Sequence, residues 1–220
     1  MTALVDYLVA RGGPLEPSGL AYDYVLAGDG LFVAAGNRYL DLRVPVATAP
    51  VRGLPPLFPS FALRSGRVPQ GIWDVIVAAS CAWARAEREV MFGVVHDDIT
   101  GYRVVQPRQM TGPTVVRYRP LDEVVLEIHS HHRFAARFSP TDDEDEQSLR
   151  VYGVLGRFGS DRPEVALRVG AYGYFMPVPW GAVFDGERRA FRDAYFDPPF
   201  EAEGVEERAD QPDEDDDLPD

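Results

Sequence analysis

The chain has 220 residues, 45% of them hydrophobic, with 35 acidic against 22 basic side chains and one cysteine, Cys81. That length suffices for one full domain plus a small second one, and a single cysteine excludes both an intrachain disulfide and a cysteine-rich zinc cluster. Of the net charge of −13, residues 201–220 hold eleven acids and one arginine, so −10 belongs to the C-terminal tail and only −3 to the other 200 residues. No basic stripe interleaved with aromatics occurs, which argues against nucleic acid as a partner. The longest apolar run, Val75 to Ala84, is too short to span a bilayer. The N-terminus lacks the basic region and apolar core of a signal peptide, so a cytoplasmic protein without membrane attachment is expected.

In chain order, residues 1–65 read as a small β-rich unit. The segment VDYLVARGG is short and amphipathic. YDYVLAGDGLFVAAGNRYLDLRVPVA then alternates apolar runs with turn signals at GDG and GN, which predicts a three-stranded meander. Pro45, Pro50, Pro55, Pro56 and Pro59 suggest an irregular crossing to the next unit. No motif in this part carries chemistry; it reads as a structural addition or as a docking module.

From Pro69, PQGIWDVIVAASCAWARAE predicts a helix of about four turns, with Ile72, Ile76, Ala79 and Trp83 at helical spacing to pack on a sheet. Cys81 falls in this run and reads as a small core residue, with no histidine near it in sequence to activate a thiol. EVMFGVVHDD, YRVVQP, TVVRYRP and VVLEIHSH read as strands, with a hairpin turn at DDITGY. VYGVLGRF and EVALRVGAYGYFMPV read as two more, joined by GSDRPE, and GERRAFRDAYF as a C-terminal helix. The tail from Glu201, acidic and free of aromatics, is expected to be disordered. The organisation is thus residues 1–65, a domain over 66–200, and an acidic tail over 201–220.

The richest stretch is LEIHSHHRFAARFSPTDDEDE. His129 and His131 stand two apart on a predicted strand and so share a face. Seven residues later comes Ser139-x-x-Asp142. Ser139 is a good helix N-cap, Pro140 suits the first helical position, and Asp142 lies one turn in, where its carboxylate can reach back to the strand. Two imidazoles and one carboxylate bind Zn²⁺ and leave a fourth position open, as in catalytic sites. The alternative is a capped acidic helix after a strand that happens to hold histidines. Asp143, Glu144, Asp145 and Glu146 read as a solvated helix start, His132 as exposed on the opposite face, and His96 as a turn residue.

The constellation His129-Ser130-His131, seven residues, Ser139-x-x-Asp142 resembles the JAMM motif of the JAB/MPN zinc metalloproteases, and HSHH followed by FSPTDDEDEQ is similar to their bacterial and plasmid-borne branch. The resemblance spans about Pro69 to Phe184. It implies an α+β MPN/JAB-type fold, a mixed β-sheet flanked by helices, here preceded by the β-rich N-terminal unit. It also implies cleavage at the C-terminus of a ubiquitin-like protein, with the adenylating and conjugating enzymes of the same gene cluster as further partners. His129, His131 and Asp142 would hold zinc, Glu89 would act as general acid/base, and Ser139 would donate a hydrogen bond to the oxyanion. Two positions depart from the family's pattern: His132 stands where many members have proline, and Gly93 comes four rather than three residues after Glu89. Glu87 and Glu127 are rivals for the base; Glu87 reads as a surface charge at the helix end, and Glu127 shares the parity of the histidines and suits a partner to an imidazole. All 22 basic residues are arginine, which reflects GC-rich coding or, in an isopeptidase, spares the chain modification on a lysine amine. Two other readings stand beside this one: a non-catalytic MPN scaffold, and a zinc amidohydrolase acting on a small molecule.

Overall fold

The computed structural model describes residues 4–159 and 163–187. The fold is α+β and dominated by strands. Five of them form the first sheet, in the order β1 (Val5–Val9), β2 (Tyr22–Ala27), β3 (Gly30–Gly36), β4 (Leu40–Thr48) and β5 (Ser60–Leu63). The predicted meander is β2 to β4. The amphipathic opening segment is a strand, laid parallel to β2. The proline-rich stretch is less of a crossing than expected: β4 runs through Pro45, and β5 returns to pair with it from Leu40 to Arg43. Proline fits there because β5 has stopped pairing at Arg43, which frees one side of β4, and the pairing with β3 shifts register nearby.

Helix α1 (Gln70–Arg85) follows as predicted, with Trp73, Ile76, Val77 and Ser80 buried and Ile72, Ala79 and Trp83 on the half-buried flank. It ends where Glu87 takes a left-handed conformation, φ 55°. The second sheet has six strands in the order β13-β12-β11-β10-β6-β7. They are β6 (Met91–Asp97), β7 (Gly101–Val105), β10 (Val124–Ser130), β11 (Arg150–Gly156), β12 (Glu164–Ala171) and β13 (Tyr174–Pro177). Between β7 and β10 a separate ribbon pairs β8 (Gln109–Thr111) with β9 (Val116–Tyr118), so TVVRYRP forms a strand but not one of the main sheet. The run EVALRVGAYGYFMPV is two strands, not one. Tyr172 and Gly173 both have positive φ and make a two-residue hairpin turn between Ala171 and Tyr174. Helix α2 (Pro140–Asp145) links β10 to β11, and a short helix α3 (Trp180–Val183), not predicted, closes the described chain. Residues 160–162 of the GSDRPE turn, the C-terminal helix read in GERRAFRDAYF and the acidic tail lie outside the described residues.

Strand β10 sits inside the sheet, antiparallel to β6 and parallel to β11. It is buried along nearly its whole length, which is why VVLEIHS reads as a continuous apolar run rather than an alternation. Packing there is tight: a Cβ at Gly153 would lie 2.9 Å from Ile128 Cδ1 and Leu167 Cδ2, so any larger residue at that position on β11 would force those side chains to move. One apolar cluster joins the two sheets, with Val33, Leu40, Leu42 and Val44 of the first packed with Trp73, Ile76, Phe92, Leu126, Ile128 and Phe184. Among the described residues no helix is long and apolar enough to cross a membrane.

The shared cluster has a measurable consequence. Leu40 is fully buried, so Leu40→Ala is expected to cost about 2–5 kcal/mol. All three tryptophans, Trp73, Trp83 and Trp180, lie outside the first sheet. Tryptophan fluorescence and far-ultraviolet circular dichroism should therefore shift together in denaturant; a fluorescence transition left in place would show that the sheets unfold independently.

Candidate metal centre

His129 occupies β10 opposite Met91 of β6 and Val154 of β11. His131 lies just past the strand end, where its N–H donates to the carbonyl of Leu155 at 2.7 Å. Its Nδ1 is 3.2 Å from the carbonyl of Ala135. A carbonyl only accepts, so Nδ1 carries the proton and Nε2 presents a lone pair. The two Nε2 atoms, of His129 and His131, lie 3.0 Å apart. Two nitrogens at about 2.05 Å from one tetrahedral ion would be about 3.3 Å apart, so the spacing suits a shared metal. Burial, aided by the fields of His131 and Arg168 and opposed by Asp142, pushes the His129 imidazole down to about 4, which keeps it neutral and able to ligate.

Asp142 arrives from α2. Ser139 has an extended backbone and caps the helix, its Oγ accepting from the Asp142 N–H at 3.2 Å. Asp142 Oδ2 in turn accepts from the Ser139 N–H at 2.5 Å, a reciprocal capping box with aspartate in the usual place of glutamate. This leaves the second oxygen, Oδ1, free to turn to the strand, where it lies 3.5 Å from His129 Nε2. One ligand atom from each of His129, His131 and Asp142 fits within a 4.8 Å span. The geometry therefore brings the three predicted ligands together, and the donor set of two imidazole nitrogens and one carboxylate oxygen is one that zinc accepts.

Glu89 precedes β6. Continuing the β6–β10 register from Met91 opposite His129 places Glu89 beside His131. The chain is pinned there by Ser130, fully buried, which exchanges two bonds with Val90: its N–H donates to the Val90 carbonyl and its Oγ accepts from the Val90 N–H. The Glu89 N–H donates to Gly112 on the β8–β9 ribbon at 2.9 Å. Glu89 is only 6% exposed. Burial, then the field of Asp142, raises its carboxyl to about 7. Glu87 is exposed and pairs with Arg133 at 3.2 Å, as expected of a surface charge.

Four expectations need correction. Glu127 faces no imidazole: it is buried against the Arg150 guanidinium of β11. His132 is not exposed, because the strand ends at Ser130 and alternation no longer applies; with φ 30° it turns inward, and its Nε2 donates to the Pro113 carbonyl of the ribbon at 2.6 Å. His96 is on β6, its ring against Tyr102. Glu146 is not solvated but buried, and with Asp143 it binds Arg168 of β12. Arg168 was missed altogether. Its signal was an arginine inside the apolar run EVALRVGA, where a charge needs partners. Cys81 is half-buried against the core, and burial pushes its thiol up, away from the thiolate.

No protein-family model matches the chain, and no curated protein matches it. Among solved structures, the solution structure of a protein from Salinibacter ruber is similar at a TM-score of 0.32 and 19% identity, over 55% of this chain and 92% of that one.

The raised Glu89 carboxyl predicts a pH-dependent stability. Below about pH 4.5 it is protonated in both folded and unfolded chains; between there and about 7 only the folded chain keeps the proton; above 7 the folded chain carries a buried charge. Metal-free protein should therefore lose stability through this group as pH rises from 4.5 to 7. Glu89→Gln should be more stable than wild type by about 1–3 kcal/mol at pH 8, with the difference gone at pH 4.5. Urea unfolding of the two proteins in chelator at both pH values measures it; equal stability at pH 8 would mean that Glu89 ionises without penalty.

Proposed function

We propose that the chain is a zinc-dependent isopeptidase or processing peptidase of the JAB/MPN type, acting at the C-terminus of a ubiquitin-like protein in a bacterial conjugation system. The observation that carries this reading is the convergence of His129 Nε2, His131 Nε2 and Asp142 Oδ1 beside the buried carboxyl of Glu89. On this reading the six-stranded mixed sheet with α1 and α2 is the MPN core, the protein works in the cytoplasm, and the adenylating and conjugating enzymes of the same system are its further partners.

His129, His131 and Asp142 would hold zinc, and a bound zinc ion supplies Lewis acidity toward a carbonyl and lowers the pKa of a coordinated water to about 7. The rest of the chemistry belongs to the chain. Glu89, with its carboxyl near 7, accepts a proton from the attacking water and returns it to the leaving amine, the match of pKa to working pH that general acid–base catalysis requires. Ser139 Oγ accepts the Asp142 N–H, which leaves its own proton for the oxyanion that forms at the scissile carbonyl. Capping and oxyanion donation are compatible because a hydroxyl has two acceptor sites and one donor.

The test is zinc content and cleavage of a reporter fused to the C-terminus of a small β-grasp, ubiquitin-like protein. Wild type should bind one zinc and cleave; Glu89→Gln should keep the zinc and lose about 10²–10⁴ in rate. Undiminished cleavage in Glu89→Gln removes that residue from the chemistry. Zinc binding with no cleavage of any such fusion leaves a scaffold and overturns the hydrolase.

A further inference from the structure

Helix α2 must deliver Asp142 to the histidines, yet it has only six residues, none of them buried. A helix this short does not hold itself in water, and four of its six residues, Asp142, Asp143, Glu144 and Asp145, are acids with no apolar surface to dock it. Six carboxylates lie between Asp142 and Glu146 and at Glu89 nearby, a density of like charge that works against any fixed helix. Besides the approach of Asp142 to His129, what fastens it to the sheet among the described residues is Arg168 of β12.

Arg168 is buried, 7% exposed. Its Nε and Nη2 both donate to Glu146 Oε2, at 2.8 and 2.5 Å, and its Nη1 donates to Asp143 Oδ1 at 2.5 Å. The guanidinium carbon lies 3.9 Å from the centre of the Phe138 ring and 3.7 Å from that of Phe175, so the cation is held between two aromatic rings. Phe138 immediately precedes the N-cap Ser139, and Glu146 is the C-cap. One guanidinium thus grips the helix before its start, in its middle and at its end, and Asp142 is enclosed by these contacts. Phe175 of β13 completes the sandwich; it sits opposite Gly170 of β12, where a Cβ would come 3.1 Å from the ring and 2.7 Å from Tyr152. The VGAYGYF hairpin therefore serves the site from the far edge of the sheet.

We propose that Arg168 is a positioning residue for the metal centre, clamping α2 through Glu146, Asp143 and Phe138 so that Asp142 is presented to His129 and His131. The assignment rests on the reading that those three residues bind a divalent ion. Arg168 touches none of the ligand atoms; besides its field at His129, it acts through the helix. Lysine does not replace it, because a single ammonium point cannot reach two carboxylates in a plane while stacked between rings.

The experiment is zinc affinity by competition with a chromophoric chelator, on wild type, Arg168→Met, Asp142→Asn and the double variant, with circular dichroism to verify folding and the visible spectrum of the Co²⁺-loaded proteins. Arg168→Met should weaken zinc about 10–100-fold, as loss of a ligand's supporting contacts does, and should change the Co²⁺ spectrum toward that of Asp142→Asn. In the Asp142→Asn background the same change should cost no more than about twofold, since the clamp then has no ligand to place. Arg168→Lys should not restore affinity. Wild-type affinity in folded Arg168→Met, or equal losses with and without Asp142, overturns the clamp. If Arg168→Met does not fold, Glu146→Gln carries the same prediction in the same cycle. If wild type takes up no zinc, the metal reading itself falls, and the clamp loses its role with it; that result is distinct from a wild type that binds while Arg168→Met binds equally well.

Discussion

The double burial of β10 is the constraint on which the site depends. A strand covered on both faces cannot slip by one residue without moving every side chain to the wrong layer. Here the register is held by Ile128 against the bare backbone of Gly153, by Glu127 against Arg150, and by Ser130 bonded twice to Val90. From that register the rest follows. His129 falls opposite Met91, Glu89 emerges two residues earlier beside His131, and both arrive at the end of the strand, where the buried layer gives way to polar groups. The site takes its precision from the sheet and not from the loops that complete it.

The ribbon and the helix are secured differently. The β8–β9 ribbon has no place in either large sheet, but several bonds tie it down: the Gly112 carbonyl to Glu89, the Pro113 carbonyl to His132, the Gln109 side chain to the Met91 backbone, and Thr111 to Arg88. Each tie lands within a residue or two of a candidate catalytic or ligating group. Helix α2 has a reciprocal cap at one end and an arginine across its length. Apolar packing positions the strand, while hydrogen bonds and charge position what surrounds it.

This division explains what could be read from the sequence. Apolar runs with turn signals gave the meander, α1 and the strands of the second sheet, because burial leaves a periodic trace. The clustering of His129, His131 and Asp142 was legible because H-x-H on a strand and S-x-x-D at a helix start each carry their local geometry. What the sequence hid were non-local partners. Nothing near Glu127 in the chain names Arg150, 23 residues on, and nothing near Glu146 names Arg168. His132 was misread because strand alternation was extended two residues past the strand's end at Ser130. The Tyr172–Gly173 turn was missed because tyrosine at positive φ is not a turn signal that composition supplies.

The charges around the site also sort ligands from non-ligands. Five carboxylates surround it: Glu89, Glu127, Asp142, Asp143 and Glu146. Arg150 pairs with Glu127, and Arg168 is shared between Asp143 and Glu146, one positive charge for two acids, with burial pushing the Glu146 carboxyl up to about 8. Neither guanidinium is left for Glu89 or Asp142, and the imidazole between them is held neutral by burial. Those two acids repel each other, which is part of why the Glu89 carboxyl rises to about 7. A pocket in which two imidazole nitrogens and a carboxylate converge, with both nearby guanidinium groups engaged elsewhere, favours a small cation and disfavours an anion. The same reasoning sets Asp143 and Glu146 apart from Asp142 even though they follow it closely in the chain: their oxygens already accept from Arg168, and freeing Glu146 would take from the buried guanidinium its buried partner.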